Sequence, residues 1–509
     1  MNATALFEEA HRNAIWLVAL WRSLPAEFWA VLYACWLLGA FVFMLIQRRP
    51  PTTTLAWLIA FIALPFISAV FYFVFGPRKL KRRRMRRGLA KDLAARLAPD
   101  TAEAMPETLA SRYWLAGLAK VGSHGGDGPP RAAKRVRLFA SGDDTYVAIE
   151  AAMREARETI HLEYYIFEPD AIGTRWRDLL TERASAGVAV RLLVDALGSK
   201  NCKADFWRPL EAAGGEVRQF NPPRLFSFGL GKINFRTHRK IVVIDGAWAF
   251  TGGINVTKGN SGMSSGSSAW RDTHMEIVGP PAIDLQLVFL EDWLFAGANN
   301  VRSAHRDQAL IDTPQDIERW FPPIAAETGP WVQIIDSGPD EVYADIQRFY
   351  FTAISSARRR VWITTPYFVP DEAIVTALAT AAARGVDVRL ILPQRGDSLL
   401  VTAAAYTFAE EVAAEGVAVF EYGPRMIHAK TMVIDDELAV VGTANIDNRS
   451  FRLNFEVIAA IYDTAFTAEL ASVFESDLLD AKPLALSAAK QRFLPRLLSS
   501  AARLFAPLL

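Results

Sequence analysis

Two stretches near the start of the chain carry no charge on any helical face. Residues 28–46 form a run of 19, bounded by Glu27 and by Arg48 and Arg49; residues 52–75 add 24 more, rich in Phe, Leu, Ile and Ala. A helix of about 20 apolar residues spans a bilayer core, and core helices of soluble proteins rarely stay uncharged all round for so long. Only residues 47–51 separate the runs, which predicts a tight two-helix transmembrane hairpin with both flanks on one side. Pro65 kinks the second helix, and Trp29, Trp36, Trp57 and Tyr72 suit the interface or helix packing. Glu8, Glu9 and the late onset of the apolar run argue against a cleaved signal peptide.

Residues 78–87 then carry eight positive charges in ten positions. The positive-inside rule puts this flank, and all that follows, in the cytoplasm, with the chain in the cell (inner or plasma) membrane. The same stripe attracts anionic headgroups. Residues 481–509 have no acidic side chain, and Phe493, Leu494, Leu497, Leu498, Leu504 and Phe505 alternate with Arg492, Arg496 and Arg503 around Pro495. Such a basic amphipathic segment lies on a membrane or docks on the protein's own surface.

Between these ends the pattern changes to strands alternating with amphipathic helices, and it runs twice. The strand-like residues 160–167 match 361–369, and 186–194 match 384–392. The expected fold is an α/β tandem repeat, two lobes facing each other as a pseudo-dimer in one chain. The divisions are 1–25, an N-terminal flank; 26–91, the hairpin and basic stripe; 92–134, a linker with a Gly/Pro-rich end. Then come 135–310, lobe 1; 311–330, a connector; 331–480, lobe 2; and 481–509, the C-terminal segment.

Across all 509 residues, 56 Lys+Arg against 55 Asp+Glu leave a net charge of +1. That balance is a cancellation: residues 1–91 carry 13 basic and 3 acidic residues, so the remainder holds 43 and 52 and is acidic. An acidic body argues against a nucleic-acid partner. Cys35 and Cys202 cannot build a disulfide framework, and neither has a second Cys at metal-ligand spacing. No metal or cofactor is expected.

The chemistry lies late in each lobe. His238, Lys240 and Asp245, then Gly252 and Asn255, repeat as His428, Lys430 and Asp435, then Gly442 and Asn445, both spaced His-x-Lys-x4-Asp-x6-Gly-x-x-Asn. On a strand, His-x-Lys puts both side chains on one face. A two-residue turn at Asp245-Gly246 would pair position 238 with 253, and one at Asp435-Asp436 would pair His428 with Thr443. Asp245 and Asp435 are read either as catalytic or as turn formers. Matching the apolar runs behind the hairpins aligns Asp272 with Glu456, the carboxylates expected to orient the imidazoles. Lys and Asn would hold a phosphate without a metal ion, one neutral imidazole would attack phosphorus, and the other would donate a proton to the leaving alcohol. His11, His124, His161, His274 and His305 lack a duplicated setting and read as structural.

This pair of motifs resembles the HKD signature of the phospholipase D superfamily. Arg48-Arg49-Pro50, Thr54-Leu55-Ala56-Trp57, Leu64-Pro65 and Phe75-Gly76-Pro77-Arg78-Lys79 are similar to the anchor of bacterial membrane-anchored cardiolipin synthases. The resemblance covers roughly residues 48–480. It implies that His238, Lys240, His428 and Lys430 are catalytic, with Asn255, Asn445 and Thr443 at the phosphate. Gly253 stands where the motif often has Ser or Thr, which predicts less symmetrical phosphate binding. The implied reaction moves a phosphatidyl group from one phosphatidylglycerol to another, releasing glycerol, through a phosphohistidine. The anionic lipid and the bilayer are its partners. His238 is assigned as nucleophile and His428 as acid/base. Residues 221–237, where Phe226 and Phe228 lie among Arg224, Lys232 and Arg236, are expected to touch lipid. Two alternatives stay open: a membrane-anchored phospholipase D using water, and a non-catalytic membrane scaffold.

Overall fold

The computed structural model describes residues 25–46, 51–65, 67–69, 72, 112–125, 127–222, 235–297, 319–325, 327–340, 343–485, 499–504 and 506. The basic stripe at 78–87, the aromatic loop residues from Arg224 to Lys232, and residues 486–498 lie outside these.

Contacts divide the described residues into two units, the first made up of those before residue 79. In it, helix α1 (Ala26–Ile46) is long and apolar enough to cross a membrane, with only 6% of its best window buried. Helix α2 (Pro51–Ala63) covers the first half of the second expected span. Met44, Phe61 and Tyr72 form a small apolar cluster between them, with Trp57 edge-on to Tyr72 at 5.1 Å.

The second unit holds both lobes. In lobe 1 the strands are β1 (Arg135–Phe139), β2 (Thr159–Tyr164), β3 (Ala189–Asp195), β4 (Glu216–Phe220), β5 (Lys240–Ile244), β6 (Trp248–Gly252) and β7 (His274–Val278). They form a mixed sheet in the order β1-β7-β6-β5-β2-β3-β4. Lobe 2 repeats this with β8 (Trp331–Ser337), β9 (Arg360–Thr364), β10 (Asp387–Pro393), β11 (Ala418–Tyr422), β12 (Thr431–Ile434), β13 (Leu438–Gly442) and β14 (Glu456–Tyr462). Its order is β8-β14-β13-β12-β9-β10-β11, and two short edge strands, Arg131–Ala132 and Ala481–Pro483, flank it.

The central strands, such as β5, β13 and β14, are buried on both faces, so they read as nearly continuous apolar runs, whereas the edge strands β1, β4 and β11 are partly exposed. Ile241, Val243, Met275 and Ile277 of lobe 1 meet Val433, Val441, Val457 and Ala459 of lobe 2 in one core between the sheets. Each sheet's other face is covered by its own helices, with Trp176 and Leu180 in lobe 1 and Phe349 and Leu378 in lobe 2. At about 25 cal/mol per Å² of apolar area removed from water, this shared core holds the lobes together as one body.

Two expectations change here, and one open choice is narrowed. Both hairpins have three-residue loops: Ile244 pairs with Trp248, and Ile434 with Leu438, one residue beyond the expected register. The reason is local, since Asp245 and Asp435 take left-handed backbone (φ 47° and 51°) and open the loop themselves. Within the stretch read as a linker, helix α3 (Tyr113–Gly122) buries Leu115, Leu118 and Ala119 in the lobe 2 core. Near the C-terminus, Ala502 is buried in that core and Arg503 pairs with Glu411 at 2.5 Å, so this part docks on the protein's own surface.

Candidate active site

Each histidine precedes a central strand and is held there by the other lobe. The His238 N–H donates to the Phe455 carbonyl at 2.8 Å, and the His428 N–H to the Arg271 carbonyl at 2.6 Å. Phe455 and Arg271 are the residues just before Glu456 and Asp272. The backbone contacts therefore deliver each carboxylate to the imidazole of the opposite lobe. His238 Nδ1 lies 2.9 Å from Glu456 Oε2, and His428 Nδ1 lies 2.7 Å from Asp272 Oδ2. Strand register supports the expected alignment of these two residues, since Gly252 faces His274 and Gly442 faces Ile458. That the pairs cross between lobes was not visible in one dimension.

Holding Nδ1 makes Nε2 the reactive nitrogen of each ring, with Lys430 beside that of His428. Lys240 Nζ donates to the His238 carbonyl at 2.7 Å, and Lys430 Nζ lies 3.0 and 3.1 Å from the two ring nitrogens of His428. Burial pushes His238 and His428 down to about 4, with Lys240 and Lys430 adding to it. Burial also lowers Lys240 to about 7, helped by Lys430 beside it, and Lys430 to about 8. Burial alone would raise Asp272 and Glu456, but the neighbouring imidazoles and lysines outweigh it and hold both below the usual carboxylate value. The site thus holds neutral imidazoles, ionised carboxylates and two weakened cations, a setting suited to an anion.

A cavity of about 400 Å³ opens over this group, lined by His238, His428, Asn255 and Asn445. The Asn255 oxygen accepts from the Ile166 N–H at 3.3 Å, leaving its NH2 group for a ligand. Thr443, expected at the phosphate, stands behind the cavity instead: it is fully buried, and its hydroxyl donates to Glu456 at 2.6 Å. Gly253, its counterpart, makes room for the other carboxylate, since a Cβ there would lie 2.0 Å from Asp272 Oδ1.

Asp245 and Asp435 are corrected as site residues. They close the far ends of β5 and β12, roughly 20 Å from the histidines at about 3.3 Å per residue. Their carboxylates accept backbone N–H groups of residues 157–159 and 358–360, at 2.7–3.1 Å, as turn formers do. Beneath His238 the lobes differ. Fully buried Arg239 bonds Asp292, Asp336 and the Glu456 carbonyl, whereas lobe 2 has Ala429 at that position.

Sequence reasoning missed Tyr165, Trp270, Tyr367, Asp397, Asp447, Arg449 and Asn454, which also line the cavity. Tyr165 and Tyr367 carried a signal, for both follow matched strands; their rings stand edge-on to His238 and His428 at 5.1 and 6.4 Å. Asp447 is pushed up to about 6 by burial. His161 and His274 are fully buried away from the cavity, as their lack of duplicated context suggests.

Comparison with known proteins fits this geometry. The family described as "Cardiolipin synthase, PLD-like domain" matches residues 149–271 and 350–478, and the "Phospholipase_D-nuclease N-terminal" family matches 35–77. A cardiolipin synthase of Geobacillus thermodenitrificans is 37% identical over 508 residues, covering 97% of this chain and 98% of that protein. Cardiolipin synthase 1 of Bacillus anthracis is 33% identical over 492 residues, covering 95% and 94%. A crystal structure of phosphatidylserine synthase from Haemophilus influenzae shares the fold, with TM-score 0.57 at 14% identity over 77% of this chain and all of that one.

Proposed function

Because this chain belongs to the cardiolipin synthase family of the phospholipase D superfamily, we propose that it joins two phosphatidylglycerols into cardiolipin and glycerol with the residues of this cavity. The observation that carries the assignment of roles is the crossed pair of histidine–carboxylate contacts beside two lysines. Lys240, Lys430, Asn255 and Asn445 hold the donor phosphodiester. His238 Nε2, its Nδ1–H held by Glu456, attacks phosphorus; the bond to the headgroup oxygen breaks, and His428 gives that oxygen its proton. Glycerol leaves and a phosphatidyl-histidine remains. His428 then takes the proton of a second phosphatidylglycerol hydroxyl, whose oxygen attacks phosphorus and frees His238. The arriving phosphate anion raises the His428 pKa, so the acid forms only with substrate bound.

Incubating the purified chain with phosphatidylglycerol and identifying products by mass spectrometry tests this reading. Cardiolipin and glycerol are expected. Phosphatidic acid would mean a hydrolase, and no turnover a scaffold. His238→Ala and His428→Ala should each abolish turnover, and substantial residual activity in either would falsify the two-histidine scheme.

The membrane arrangement we propose has α1 as the first span and residues 52–75 as the second, with the basic stripe and both lobes in the cytoplasm. The apolar length of α1 and the charge bias after residue 77 support it. In a cysteine-free background, Arg48→Cys should react with an impermeant reagent on intact cells, and Tyr113→Cys only after lysis. The reverse pattern overturns the topology.

A further inference from the structure

Two carboxylates line the cavity; Asp447 is buried and accepts from the Ser450 N–H at 2.6 Å, but the other does not suit a phosphate. Asp397 lines the cavity with an exposed carboxylate, close to where an anion must bind. Both of its oxygens lie 2.7 Å from the Tyr367 hydroxyl, which donates to them, and the Tyr367 ring stands edge-on to His428. Burial, and next the Asp397 charge, hold the Tyr367 hydroxyl above its ordinary pKa, so it remains a donor. One phenol O–H leaves most of the carboxylate's acceptor capacity open to the cavity.

Among the described residues, lobe 1 places no carboxylate in the cavity lining. Strand register aligns Asp195 with Pro393, and so Ser199 with Asp397. Ser199 is buried, donates to the Tyr165 carbonyl at 3.0 Å and accepts from the Phe167 N–H at 2.9 Å. The exposed carboxylate therefore stands on one side of the paired histidines, the side of His428. A carboxylate beside a phosphodiester repels it; Lys430, whose charge Asp397 favours, and Arg449 offset part of this, and a neutral donor brought by the substrate gives the exposed carboxylate a partner of its own. A glycerol headgroup brings one. When its terminal hydroxyl attacks phosphorus, the hydroxyl on the adjacent carbon is free to donate.

We propose that Asp397, held by Tyr367, binds the secondary hydroxyl of the acceptor's glycerol headgroup, so that the incoming alcohol is presented to His428. Asp397 is then a specificity residue for a vicinal diol. This rests on the transferase reading above and names the group that recognises its acceptor.

The test uses the full chain in mixed micelles with phosphatidylglycerol as donor and two soluble acceptors, propane-1,2-diol and 1-propanol, which differ by that hydroxyl. The readout is the ratio of the two phosphatidyl-alcohol products. A hydrogen bond to a charged group corresponds to a preference of about tenfold or more for the diol in the wild type. In Asp397→Asn the ratio should fall towards one, and Tyr367→Phe should lower it part of the way. A general loss of folding or catalysis would lower both products and leave the ratio unmoved. An unchanged ratio in Asp397→Asn, whatever its total turnover, overturns the inference, as does a wild type that makes cardiolipin without preferring the diol; a fall in both products alone does not support it. A wild type that makes no cardiolipin overturns the transferase reading, and the inference falls with it.

Discussion

Gly253 and Thr443 occupy the same place in the two motifs, yet they serve their carboxylates in opposite ways. Thr443 gives Glu456 a hydroxyl, and Asn454 adds a second donor at 3.1 Å. Gly253 gives Asp272 only space, and the Thr273 N–H supplies the hydrogen bond at 2.7 Å. Gly253→Ala should therefore push Asp272 off His428 and lower kcat by about tenfold to a hundredfold, the usual effect of a 1 Å misplacement in a catalytic group. Steady-state turnover against an unchanged Tm would check it. The lysines carry a pH prediction. Their folded values of about 7 and 8 mean that the free enzyme loses its phosphate-binding charge as pH rises through that window. The kcat/KM profile should fall on this alkaline limb. The limb of kcat should lie higher, because bound phosphate raises both lysines. An alkaline limb beginning only near pH 10 would contradict it.

The hairpins show what an element contributes beyond its side chains. Asp245 and Asp435 fit by their spacing either the catalytic set or a turn, because they keep their distance from each His. That spacing reflects the length of a strand instead. Each carboxylate gathers the backbone N–H groups at the start of β2 or β9, so it fixes the strand next to the hairpin. Asp435→Ala removes these bonds and should cost about 1.5–3 kcal/mol of stability, seen as a lower Tm in detergent. Turnover per folded molecule should change far less than in His428→Ala. Helix α3 was hidden for a related reason. Ten residues with one apolar face, beside a Gly/Pro-rich stretch, give a weak periodic signal, and only contact with lobe 2 makes the helix worthwhile.

At the scale of the whole molecule, the crossed contacts mean that neither lobe has a complete site. Asp272→Asn should slow turnover about 10³–10⁴-fold, as loss of a histidine-orienting carboxylate does. In a double-mutant cycle it should couple to His428→Ala rather than add to it, although the two residues belong to different lobes. Full additivity would show that the contact does not act in catalysis.

Much was legible without coordinates: the apolar first helix, the duplicated α/β unit, the paired His, Lys and Asn residues, and the match of Asp272 with Glu456. These follow from local periodicity, or from a pattern stated twice, and both survive in one dimension. The register of the hairpins, the retreat of Thr443 and the two aspartates from the site, and the exchange of carboxylates between lobes were settled only by tertiary structure. So was the placing of Asp397 beside Tyr367. Each depends on which backbone lies against which, across separations of up to 218 residues, and no spacing along a chain encodes that.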